Sequence, residues 1–358
     1  MMKNMKMKKI ISLYIIITLI FTITYIVFAS KPLAKEYQFT PIWKISTANP
    51  AISEIDSDKK LMSFHLGQTL GYFSEDGKIS LYKTFPDKTA ISDNYYALYD
   101  SQSSDIPFYN NKGQKAGVIN SSGYPYFKDD LIYIFLPGGS SFSKCDETGK
   151  IIWTYEGILP ITAFSAKKDY TAAGFADGTI KVFNNANGAV EINFAPGGSD
   201  YPVILGLDIS DDGQYVAAIS GHNQQRFTLS HREEKQQKII FHTFLNTDTP
   251  YRTLVHFCKN GNRVLYNYQG AVGIYDLKQN KNTVIPIKDK VIIIEENDNF
   301  VYMLSKNKTK YTVSVIEKTD TLEGMFSFDA ETAFISSDGA NLYIGKDNTI
   351  SRLSVSQE

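Results

Sequence analysis

The chain has 358 residues, 43% hydrophobic and 13% aromatic, with 23 Tyr and 22 Phe. That is enough apolar material for one large closed β architecture or two average domains, and the aromatic and β-branched enrichment favours strands over helices. A net charge of −1, with acidic and basic residues interspersed, excludes the electrostatic footprint of a nucleic-acid-binding protein.

The first nine residues, MMKNMKMKK, carry four lysines. Residues 10–29, from Ile10 to Ala29, then run without a charge. About 20 helical residues match a bilayer core of about 30 Å, so this stretch is expected to be a transmembrane helix acting as an uncleaved signal anchor. The alternative is signal-peptidase cleavage at Phe28-Ala29-Ser30. Lysines before the span keep the N-terminus cytoplasmic and place the rest of the chain outside. The expected organisation is a tip and anchor over 1–30, a linker over 31–38 and one folded domain over 39–358.

Within that domain the strand TPIWKIS at 40–46 comes first, followed by recurring strand and turn phrases. In 175–194, FADGTIKVFNNANGAVEINF, Asp177-Gly178 and Asn187-Gly188 supply the positive φ of tight turns, and the residues between them alternate with the two-residue period of a half-buried strand. Similar phrases recur at 72–85, 108–120, 143–157, 209–220, 258–277 and 335–355. Gly113, Gly149 and Gly188, between a unit's third and fourth strands, lie 36 and 39 residues apart; Gly178, Gly213 and Gly261, between earlier strands, lie 35 and 48 apart. A period near 40 made of four short strands is the mark of a propeller blade.

Cut by that rule, the chain gives blades near 51–82, 90–119, 124–155, 161–194, 203–244, 252–287 and 290–327. The end, 331–355, supplies three strands, and TPIWKIS supplies the missing outer one, so the ring closes without an exposed sheet edge. Trp43 and Trp153 then occupy the same outer-strand position. The expected fold is an all-β, eight-bladed β-propeller with an N-terminal transmembrane helix; seven blades is the alternative if 90–119 is not a blade.

DETGKIIWTYEG at 146–157 resembles the D-x-x-T-G-K-x-x-W repeat of quinoprotein-type (PQQ-like) propellers, and GFADGTIKVFNNANG at 174–188 resembles their G-x-x-D-G-x-I segment. ISDDGQYVAAIS at 209–220 is instead similar to the hairpin of WD-repeat and TolB-like propellers. The resemblance implies the architecture of 40–355. It does not carry a quinone cofactor over, because both Trp residues read as outer-strand packing and no adjacent Cys pair is present; no cofactor is expected.

Chemistry-bearing motifs are sparse. Asp beside Gly in 74–77 and 211–213 is what a hairpin turn needs in any protein, and 208–213 lacks the ligand spacing of a calcium loop. His222, His231, His242 and His256 fall within 35 residues but in no HxH or HxxxH pair, so no metal site is expected. Cys145 and Cys258 are far apart and read as buried small hydrophobes.

A polar stretch at 221–238 is expected to form a long projecting connection in the fifth blade. With the loop candidates 124–127 and 136–142, it nominates His222, Arg226, His231, Arg232, Tyr124 and Tyr126 as partner-binding residues. The expected function is that of a non-catalytic binding or scaffold protein of the cell envelope. It would be anchored in the bacterial cytoplasmic membrane by Ile10 to Ala29 with the propeller on the periplasmic side, its partners being other envelope or membrane proteins. The resemblance points the same way, to the propeller subunit of outer-membrane-protein assembly and to anchored envelope scaffolds. The rival is an enzyme or ligand sensor with carboxylates, His or Arg converging on the central channel around a ligand-sized pocket.

Overall fold

The computed structural model describes residues 14–26, 37–56, 58–259, 261–318 and 321–357. Residues 14–26 are α-helical, and Thr18, Thr22 and Thr24 turn their hydroxyls onto the carbonyls four residues earlier. Among the described residues no helix is long and apolar enough to cross a membrane. The two ends of the expected span, 10–13 and 27–29, lie outside the described residues, as does 31–36 of the expected linker.

Residues 40–355 form a second compact unit, an eight-bladed β-propeller. The strand β1 (Tyr37–Ser46) is the outermost member of blade eight, beside Thr349–Gln357, Asn341–Lys346 and Ala333–Asp338. The ring is thus closed by strands from both ends of the sequence, as the leftover halves predict. Blades two to seven span 88–119, 124–155, 161–194, 204–244, 255–286 and 290–329, each a four-stranded antiparallel sheet in chain order. Among the described residues, blade one contains only β2 (Leu61–Leu66), β3 (Thr69–Ser74) and β4 (Ile79–Thr84).

Burial follows position. Second strands such as Tyr170–Phe175 are covered on both faces and read as a nearly continuous apolar run. Outermost strands such as Gln236–Phe244 alternate, with one face wet. Aromatic side chains fill the gaps between blades. Trp153 of blade three stacks on Phe183 of blade four at 5.9 Å, and its indole N–H donates to the Asn185 carbonyl at 2.9 Å. Trp43 repeats the device in closing the ring, donating to the Glu75 carbonyl at 2.9 Å. The turn glycine under each ring leaves it room: a Cβ at Gly188 or Gly77 would come within 2.7 and 3.1 Å of the indole. Cys145 and Cys258 are free and buried, as their isolation in the sequence implies.

Three local expectations are corrected. The stretch 221–238 is not one connection: residues 221–225 are a short turn, Arg226–Glu233 is a strand, and a two-residue turn at Glu234 and Lys235 leads into Gln236–Phe244. Its exposed polar residues belong to the tip of this hairpin and to the wet face of its outer strand, which read like a loop in sequence, whereas Gln225, Thr228 and Ser230 are buried. Residues 124–127 begin the innermost strand of blade three, Tyr124–Lys128.

The third correction concerns blade one, where 51–82 does not supply four strands. Asn49 sits at φ 55° ahead of Pro50 and turns the chain away. Ile52 and Ile55, three residues apart, cannot share one face of a strand. The segment instead makes a single parallel bridge from Ile52 to Ile79, with Ser53 N–H donating to the Ile79 carbonyl at 2.8 Å.

Candidate functional site at the channel mouth

The strand absent from blade one is the innermost. In blades two, three and four the fourth strand bulges just after its turn: Tyr109 pairs with Lys115, Cys145 with Ile151 and Phe183 with Val190, each skipping a residue. β3 and β4 carry the same bulge, with Phe73 opposite Ile79. Leu81 of β4 packs under Gly113 of blade two as Trp153 packs under Gly188.

Direction agrees. The residue closing the fourth strand bonds back to the turn between second and third strands in blades five, six and seven, through Leu245 to Gln225, Ile287 to Gly270 and Ala330 to Thr309. In blade one Phe85 N–H bonds likewise to the Gln68 carbonyl, in the turn between β2 and β3, a closure that third strands elsewhere in the ring also make onto the turn between first and second strands. Lys60, just before β2, pairs at 2.8 Å with Asp338, the last residue of the innermost strand of blade eight, so β2 runs antiparallel to that innermost strand, as a second strand does.

A cavity of about 830 Å³ opens where that innermost strand would run. Leu61, Ser63 and His65 of β2 form one wall, Ile91, Asp93 and Asn94 of blade two another, and Ile293, Glu295 and residues 333–337 of blades seven and eight a third; Lys259 reaches in from blade six. The volume lies in the range of small-ligand sites.

Its electrostatics are mixed. Asp93 Oδ1 accepts from the Ser63 N–H at 2.9 Å and the Ser63 hydroxyl at 2.8 Å. Burial, reinforced by the Asp93 carboxylate, pushes the Glu295 carboxyl up to about 7, against the pull of Lys259, the Ser337 backbone and His256. At neutral pH this acid is therefore poised between its two forms.

Farther round the inner ring, buried acids join neighbouring blades. Asp208 is 4% exposed and accepts from the Ser165 hydroxyl at 2.5 Å, from Ile209 N–H at 2.9 Å and across to blade six from Phe257 N–H at 2.7 Å. Glu296 of blade seven likewise accepts from the Lys259 N–H, with His256 at 3.8 Å and Lys318 at 3.9 Å. These are fastenings: each satisfies a backbone donor that the neighbouring inner strand leaves unpaired. Beside Asp208, a smaller cavity of about 190 Å³ holds Tyr126, Lys128, Arg252 and His256.

The six residues nominated from sequence do not converge. His222 is exposed in the turn after blade five's second strand, near Tyr201. The guanidinium of Arg226 is directed to the Pro196 carbonyl. His231 lies 4.7 Å from the Tyr215 ring, and Arg232 bonds to Glu191 at 2.8 Å, at the opposite end of the same strand from Arg226. Tyr124 is 46% exposed with Lys88 above its ring. Tyr126, two residues on in the same innermost strand, lines the smaller cavity, where burial raises its hydroxyl to about 12.

Sequence reasoning missed Ser63, Asp93, Lys259 and Glu295, which come from four different blades. The usable signal was SEDGKISL at 74–81, which aligns with DETGKIIW at 146–153 and puts Leu81 in the Trp position. That alignment makes β4 an outermost strand, with β2 and β3 inside it.

A family profile described as "beta-propeller protein" matches residues 5–358. The chain belongs to this beta-propeller family. A protein of Treponema pallidum (strain Nichols), described as uncharacterized, is 26% identical over 98% of this chain and 96% of its own length. Two solved structures share the fold: BamB from Moraxella catarrhalis, at a TM-score of 0.60 and 12% identity over 88% of this chain and all of that one, and the computationally designed Ika8 protein, at 0.65 and 14% over 88% and 99%.

Proposed function

We propose that this propeller is a non-catalytic binding protein of the cell envelope that receives its partner at the widened channel mouth. The observation that carries the reading is the 830 Å³ cavity, where donors and acceptors from blades one, two, six, seven and eight face one space. The lysine-rich start and the apolar stretch from Ile10 to Ala29 support an envelope location with the propeller outside the cytoplasm. A photocrosslinking residue in place of Ser336, at the mouth, is expected to capture a partner in intact cells, whereas one in place of Val190, on the exposed rim of blade four, is not. Capture at the rim and not at the mouth would refute the reading.

One observation favours a second reading, a ligand sensor or enzyme acting at the same mouth. Glu295, with its carboxyl at about 7 beside Asp93, has the titration of a general acid or base.

A further inference from the structure

The cavity has one wall unlike any other in the ring, a strand edge without a neighbour. β2 pairs with β3 in regular antiparallel register: Ser63 opposes Tyr72, Leu61 opposes Ser74 and His65 opposes Leu70. The Ser63 N–H points away from β3, since it donates to Asp93. By the alternation of an antiparallel ladder, Leu61 and His65 turn their peptide groups the same way. Three consecutive outward positions of β2 thus present main-chain donors and acceptors to the cavity, and among the described residues no strand pairs with them. In the other seven blades an innermost strand covers the equivalent edge.

Resting on the channel-mouth reading, the geometry points to a peptide-binding site: an extended segment of about six residues from a partner protein adds to β2 as the missing innermost strand of blade one. The length follows from β2 itself and from the six-residue innermost strands of blades four and five, Ile161–Ala166 and Ile204–Ile209. Main-chain pairing supplies affinity, and side chains of the added strand alternate between the two neighbouring walls. One wall is Ile91 of blade two, and the other is Ile293 and Ile335 of blades seven and eight.

The mixed lining suits this occupant. A strand brings equal numbers of donors and acceptors, while a ligand of one charge would meet both Lys259 and the Asp93 and Glu295 carboxyls. Asp93 is a partial stand-in for the absent strand, because it occupies one of the donors that strand would use.

The test uses the full-length protein and three labelled, capped peptides copied from its own innermost strands: ITAFSA (161–166), ILGLDI (204–209) and KVIIIE (290–295). Fluorescence polarisation is expected to show saturable binding of at least one. N-methylation of one alternating set of its amides is expected to weaken binding about tenfold or more, and methylation of the other set to have little effect, because only one set faces β2. Asp93→Ala, which frees the Ser63 N–H, is expected to tighten binding, and Ser336→Trp, which fills the cavity, to abolish it.

Failure of all three peptides to bind, or equal tolerance of both methylation sets, overturns the inference. If that happens while a crosslinker at residue 336 still captures a partner in cells, binding at the mouth stands and strand addition alone falls. If residue 336 captures nothing, both readings fall.

Discussion

Blade four and blade one share an outer plan and part company at the channel. Both have a bulged outer pair, and in each a turn glycine seats an aromatic ring of the preceding blade: Gly188 lies against Trp153 of blade three, and Gly77 against Trp43 of blade eight. In blade four the second strand, Tyr170–Phe175, has a partner on each side, and four strands reach the channel. In blade one the second-position strand β2 has a partner on one side only. The ring therefore depends on its outer strands for closure and tolerates a gap at its centre, where blades meet through side-chain fastenings such as Asp208 and Glu296. A sheet edge that would be a hazard on the rim is sheltered inside the ring.

If the outer plan is what both blades share, outer packing should matter most to the stability of the ring. Trp153→Ala removes a stacked ring and a buried indole hydrogen bond, and is expected to cost about 4 kcal/mol, whereas Leu81→Ala, the equivalent under blade two, costs about 3 kcal/mol. Urea unfolding midpoints check both, and equal small effects would break the claim that outer packing holds the ring.

Among inner fastenings, Asp208→Ala leaves the Phe257 and Ile209 amides without their acceptor, and a loss of about 3 kcal/mol is expected in the same assay. Glu295 acts in the opposite sense. Its folded carboxyl titrates near 7 against an ordinary 4.5, so the folded state holds a proton that the unfolded chain has released between those values. Stability therefore falls as pH rises through that window, and the loss is complete above about 7. Glu295→Gln is expected to raise stability at pH 8 by about 2 kcal/mol and to leave it unchanged at pH 4, read from thermal melts at the two pH values. The smallest effect is expected for Asp93→Ala, about 0.5 kcal/mol, because water can take over the Ser63 amide at an open mouth.

Much of the ring was legible because turn chemistry is local. Asp-Gly and Asn-Gly pairs set the hairpins at Gly178 and Gly188, and their rhythm of about 40 residues set the blades. Trp43 and Trp153 are rare enough that their shared position revealed the closure. What sequence reading missed is non-local. Ser63, Asp93, Lys259 and Glu295 have no common motif and meet only when the ring closes. The polar hairpin around Arg232 was misread because the charged residues at its tip and the wet face of its outer strand, Gln236–Phe244, have the composition of a loop. The missing strand of blade one was hidden by length, since 51–60 is long enough for a strand but is diverted by Asn49 and Pro50.

Amide hydrogen exchange resolved to single residues tests the open edge most directly. The Leu61 and His65 amides are predicted to exchange orders of magnitude faster than their neighbours Met62 and Phe64, and faster than the Thr171 and Ala173 amides of blade four. Protection of Leu61 and His65 equal to that of blade four would mean that β2 already has a strand on its inner side, and would contradict the account.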